Sequence, residues 1–254
     1  MTILLYDGTF EGLLTAVFEG YEYRLEPATI ISSEKYHTES IFDLPHEVLT
    51  DQHKADRVLA KMEKHLGKKG VSQLLRVFLS ESDQAERLIL AAVSLSVQFP
   101  KENILNNFAN ADMMDIAKIT KSISREVHRM HAFVRFEKLQ DEVFFAKIEP
   151  DFNVLPLIIS HFKNRYQDQK WMIYDLKRQY GIFYDLKEVQ FFEPGREQTK
   201  HFKKTENLLH EEEMQYQKLW QRYFFKTNIP ERKNLKLHVQ SLPKRYWKYL
   251  TEKL

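Results

Sequence analysis

The chain of 254 residues has no cysteine, only seven glycines and eight prolines, and no apolar run approaching the ~20 residues needed to span a bilayer. Each shortage excludes something. Without thiols there are no disulfides, no thiolate metal sites, no cysteine ligands for an iron–sulfur cluster and no cysteine nucleophile. This fits a reducing compartment, so a cytoplasmic location is expected. No two glycines stand at the spacing of a phosphate-binding loop or a dinucleotide fingerprint, and neither H-E-x-x-H nor G-x-S-x-G is present. Few Gly and Pro also leave no low-complexity linker. The start, MTILLYDGTF, has no basic segment and reaches Asp7 early, so neither a secretory signal nor a membrane association is expected. No cofactor and no metal are expected.

What is present is an ordinary globular mixture, 43% hydrophobic and 29% charged. Net charge is +2 but unevenly spread. Residues 1–50 hold nine acids and two bases, for −7, so the remainder carries +9; residues 228–254 alone hold seven bases and two acids, for +5. Two explanations are open: a basic end facing a polyanion, or two ends attracting each other.

Periodicity outlines the elements. TILLYDG is a short strand closed by a turn, and Phe10, Leu13, Leu14, Val17, Phe18 and Tyr21 recur at helical spacing, with Thr9 or Asp7 as the cap. ATIIS is a second strand. Four more helical patterns follow between residues 55 and 127, the first ended by Gly67 and Gly70. Near residue 130 the period turns strand-like. AFVRFEKL and EVFFAKIEP flank Gln140-Asp141 as a hairpin, a helix carries Leu155 to Tyr166, and WMIYDL with YGIFYDL forms a second hairpin, followed by VQFF. Residues 196–207 are a loop or the start of a helix bearing Tyr216, Leu219, Trp220 and Tyr223, which Pro230 ends ahead of basic C-terminal helices. The order predicts an α+β fold with a largely antiparallel sheet: a hairpin–helix–hairpin core plus the N-terminal strand, packed with a helical region. Residues 1–128 form the mainly helical part and 129–254 the α+β part of one integrated unit.

Several residues could carry chemistry. His128 and His131 stand three apart, without a complete metal-ligand set. Glu149 and Asp151 flank Pro150 where a strand meets a helix; Asp151 could cap that helix or act as a base. Asp175 could pair with Arg178. The second half interleaves bases with rings: Arg125, Arg129, Arg135, Arg165, Lys177, Arg178, Arg232, Lys233, Lys236, Lys244, Arg245 and Lys248. Guanidinium forks match phosphate oxygens and exposed rings stack on unpaired bases. Against this, charge runs are commonly solvated faces, and rings such as Trp220, Tyr223 and Trp247 are more often core than platform.

The stretches LLYDGTFEGLLTAVFEGYE, REVHRMHAFVRFE, VFFAKIEPDFNVLPLIISHFKNRYQDQKWMIYDLKRQYGIFYD and LPKRYWKYL resemble a bacterial family of DNA-metabolism proteins whose shared domain has no assigned activity. The resemblance falls on Arg129, Phe133, Arg135, Phe136, Glu149, Pro150, Asp151, Asn153, His161, Phe162, Arg165, Trp171, Asp175, Arg178, Pro243, Lys244, Tyr246 and Trp247. It implies a DNA repair or modification context. Similar domains are fused to uracil-DNA glycosylase-like modules, and the stand-alone form accompanies a radical-SAM protein acting on DNA.

The expectation is therefore a DNA-binding accessory protein in repair or base modification, partnered by DNA and a radical-SAM protein. Arg129, Arg135, Arg165, Trp171, Arg178, Lys244, Arg245, Tyr246 and Trp247 would touch nucleic acid. One alternative is a nuclease- or glycosylase-like hydrolase in which Glu149 or Asp151 is the base, His161 the acid or a phosphate ligand, and Arg165 an anion clamp. The other is a structural interaction module using the helices of residues 51–128.

Overall fold

A computed structural model describes residues 2–25, 28–37, 45–195, 202, 208–227 and 234–253. The chain divides into two compact units, Met1–Ile123 and Ser124–Leu254. The fold is α+β in both.

In the first unit, strand β1 (Thr2–Tyr6) pairs in parallel with β2 (Ala28–Ser32) on one side and β3 (His46–Glu47) on the other. Parallel neighbours need a crossover, and helix α1 (Phe10–Glu22) supplies it between β1 and β2. Thr9 caps α1, its hydroxyl accepting from the Gly12 N–H at 2.9 Å, while Asp7 accepts from Thr9. Helix α2 (Gln52–Leu79) and α3 (Ala85–Gln98) complete the layer, with the first part of α4 (Ala111–Phe133). Their apolar stripes meet β1 in a core that includes Leu4, Leu13, Met62, Leu74, Leu88 and Ile116. The sequence marks two helices where α2 runs, and Gly67 does interrupt it, at φ 69° and ψ 169°.

The N-terminal strand thus joins its own parallel sheet and not the sheet of the hairpins. The sequence shows β1 and β2 but not β3, which is two residues long and follows Pro45.

The second unit holds a five-stranded sheet in the order β4 (Glu137–Lys138), β5 (Phe144–Ile148), β6 (Trp171–Asp175), β7 (Tyr180–Tyr184), β8 (Val189–Phe192). Three of its four pairings are antiparallel; β5 and β6 run parallel, with α5 (Leu155–Arg165) as the crossover. The first hairpin is shorter than its sequence suggests, because α4 continues to Phe133 and leaves β4 only two residues. Leu155, Ile158 and Phe162 form the buried face of α5. The chain returns at 208–210 to the outer edge of β4, where the Gln140 N–H reaches the Leu208 carbonyl and the His210 N–H the Lys138 carbonyl, both at 2.9 Å. That return sets α6 (Glu213–Thr227) beside β4. Helix α7 (Leu235–Ser241) and two 3-10 turns, Lys244–Tyr249 and Thr251–Lys253, finish the unit. Pro230, Arg232, Lys233 and the polar stretch 196–207, apart from Phe202, lie outside the described residues.

Candidate nucleic-acid interface

The second unit contains a cleft of about 1070 Å³ between the end of α4, the start of β4, β5 and β6, the last turn of α5, and α6. Its floor is aromatic. Phe136 meets Phe162 at 5.7 Å and 76°, and Tyr166 at 5.4 Å and 73°; Trp171 lies 6.2 Å from Phe162. The two Phe136 pairs are edge-to-face, an arrangement that adds about 0.5–1.5 kcal/mol per pair beyond burial. Phe162 and Trp171 are fully buried.

The rim is aromatic too, but exposed. Tyr216, Trp220 and Tyr223 stand on one face of α6 at i, i+4 and i+7, and are 57%, 40% and 60% exposed. The Trp220 and Tyr223 rings lie 5.7 Å apart at 30°. Trp220 is not loose: its Nε1 donates to Glu252 at 2.9 Å, and the same carboxylate accepts from Arg135 Nη2 at 2.8 Å. The Arg135 guanidinium sits 5.9 Å from the Trp220 ring. The side chain of Glu252 is only 4% exposed. Burial alone would raise its pKa, but hydrogen bonds from Arg135 and Trp220 hold it below the usual carboxylate value.

Charge along the cleft is largely settled internally. Besides the Arg135–Glu252 pair, Lys138 pairs with Glu142 at 2.6 Å. Glu213 turns inward and accepts from the Lys138 backbone N–H at 3.0 Å. Arg165 differs: it is exposed, reaches Tyr166 (Nε to hydroxyl 3.3 Å, guanidinium 5.6 Å from the ring), and has no carboxylate partner among the described residues.

His131 lines the cleft and stacks on His161 with ring centroids 3.9 Å apart and planes 11° off parallel. Both Nε2 atoms are buried without a hydrogen-bond partner among the described residues. Burial lowers both pKa values, helped for His131 by the charges of His161 and His128 and for His161 by that of Arg165. The unfolded chain therefore takes up these protons first. The stack's contribution to stability is fully present above about pH 6.5, the unfolded value, and is lost as pH falls through the lowered folded values. Thermal melts should show the midpoint dropping between pH 7 and pH 5.5. His161→Phe, which keeps a ring on His131 but removes one titrating group, should shrink that drop; an unchanged drop would take the stack out of the explanation.

Most of the remaining expected site residues gather at a different place, the Pro150 corner between β5 and α5. Asp151 does not cap α5, whose N-cap is Val154 without a side-chain bond. Instead its carboxylate pairs with Arg245 at 2.7 Å and its N–H goes to Glu126 at 2.9 Å. Arg245 also binds the buried Glu126 at 2.8 Å, and the Tyr246 hydroxyl donates to the same carboxylate. Arg129 lies 3.9 Å from Glu126 and reaches the Gln240 carbonyl at 3.4 Å. Arg178 pairs with the buried Asp175 at 2.9 Å and donates to the carbonyls of Pro150 and Asp151; Lys177 joins it on the latter. Glu149 is held by Lys248 and by the Tyr249 hydroxyl at 2.6 Å. The Lys248 bond, then the Tyr249 bond, lower the Glu149 pKa, while burial first and then Glu149 push Tyr249 up to about 12.

Glu149 and Asp151 are thus engaged at the corner, whereas His161 stacks with His131 and Arg165 lines the cleft. The four groups expected of a hydrolase are split between two places. Trp171 is floor, not platform. Trp247 donates to the Leu242 carbonyl at 3.1 Å with Lys244 and Lys253 flanking its ring, and Lys244 stays exposed. Sequence reasoning missed Glu126 and Glu252. The signal for Glu126 is a carboxylate in register with the buried residues Ile123 and Met130 of α4. Among the described residues no three His, Asp or Glu side chains converge as a metal set, and no helix is long and apolar enough to cross a membrane.

Residues 83–252 match the family model described as a domain of unknown function, DUF4130. No curated protein matches the chain.

Proposed function

The chain belongs to the DUF4130 family, whose description assigns no activity, and from the geometry of its second unit we propose that it binds DNA as an accessory factor in repair or base modification. The observation that carries this reading is the cleft itself: three exposed rings on one helix face, a packed aromatic floor, and in Arg165 an exposed guanidinium that pairs with no carboxylate among the described residues. Rings offer faces to bases, and a free guanidinium offers a fork to phosphate. The repair context and a radical-SAM partner come from the sequence resemblance. This chain, having no cysteine, offers no thiolate ligands for an iron–sulfur cluster of its own.

The test is fluorescence anisotropy with labelled DNA across a salt series. Affinity should fall with salt, and Arg165→Glu, at an exposed position, should weaken binding and flatten the log–log salt slope by about 0.7 for one single-strand phosphate contact. Absence of binding at low salt would dismiss the reading.

A further inference from the structure

We infer that the cleft takes an unstacked base of single-stranded DNA, not a duplex. This rests on the DNA-binding reading and narrows it to a substrate class.

Three observations support it. First, among the described residues several of the cations that could meet phosphate are already paired. Arg135, Arg178, Arg245 and Lys248 each face a carboxylate within the fold. Duplex binding without base readout depends on many neutralised phosphates, whereas binding by stacking needs few. Second, the central ring of the rim, Trp220, is held in advance. A buried carboxylate, Glu252, is spent on holding an exposed tryptophan and the arginine beside it. Leaving three rings exposed on one helix face adds nothing to the core, but a ring already held in place spares a ligand the cost of ordering it. Third, the space is concave and ring-lined. At about 1070 Å³ it lies just above the ~300–1,000 Å³ usual for small-molecule pockets, room for one base with its sugar and neighbouring backbone. A base paired inside a duplex presents only its edge and cannot enter; an unpaired base presents its face.

The experiment compares three ligands of equal length by anisotropy at fixed salt: a single-stranded oligonucleotide, the same sequence as a duplex, and an abasic strand. The single strand should bind at least ten times more tightly than either of the others. Trp220→Ala should weaken single-strand binding by about 5- to 150-fold, the range of one lost base–ring stack, and leave the salt slope unchanged. Tyr223→Ala, at a more exposed position, should act in the same direction, with thermal melts confirming that both variants fold. Equal affinity for duplex or abasic strand, or full affinity in both variants, would overturn the inference while DNA binding itself stood. No binding to any of the three would overturn both.

Discussion

Glu126→Ala is expected to cost the second unit about 3 kcal/mol of stability. The carboxylate is buried and accepts from Arg245, the Tyr246 hydroxyl and the Asp151 N–H. Its removal leaves a buried hydroxyl and a backbone N–H without their acceptor, at about 1–3 kcal/mol each, and takes one of two carboxylates from a guanidinium. Breaking a fully buried ion pair costs about 3–5 kcal/mol; the lower end applies because the Arg245 side chain is 40% exposed and keeps Asp151. All three tryptophans lie in the second unit, so urea unfolding followed by tryptophan fluorescence reports on it directly. Glu126→Gln, which retains an acceptor, should lose less. A wild-type midpoint in Glu126→Ala would mean that the Pro150 corner is not a structural lock, and its carboxylates would again be open to a chemical role.

Gly181→Ala is expected to be the other large loss, about 1–3 kcal/mol. Gly181 lies on β7, an interior strand, opposite Tyr174 of β6 and Phe192 of β8. A methyl group there would come within 2.6 Å of Phe192 Cε1 and 2.8 Å of the Ile173 carbonyl oxygen. The phenyl ring can turn away; the carbonyl is fixed in the strand ladder and cannot. Close backbone approach of this kind is why a glycine interrupts an otherwise aromatic and β-branched strand. The same fluorescence melt reads the effect, since Trp171 is on the neighbouring strand. An undiminished midpoint would show that β6 and β7 can separate locally without cost.

The second hairpin and α5 are legible in the sequence because their periods of two and 3.6 are clean. The first hairpin is not. Met130 keeps α4 in helical register to Phe133, and the alternation in FVRFEKL supports only two paired residues. The parallel pairing of β5 with β6 is legible only in hindsight, as the demand that a helix placed between two strands makes on their direction. At the site, sequence identifies the cations and rings but not their partners. Arg245 and Lys248 look like an interface until Glu126, Asp151 and Glu149 are found opposite them, up to 119 residues away. The spacing of Tyr216, Trp220 and Tyr223 marks a helix face, and such a stripe normally faces a core; that this one is exposed depends on the return of 208–210 to the edge of β4, which no local pattern encodes.

The most direct test of the account is where a base touches the protein. A single-stranded oligonucleotide carrying 5-iododeoxyuridine, irradiated in the complex and followed by peptide mass spectrometry, should attach to the α6 peptide at Trp220, Tyr216 or Tyr223, or to Tyr166 across the cleft. Adducts confined to Trp247, or to peptides of the first unit, would contradict it.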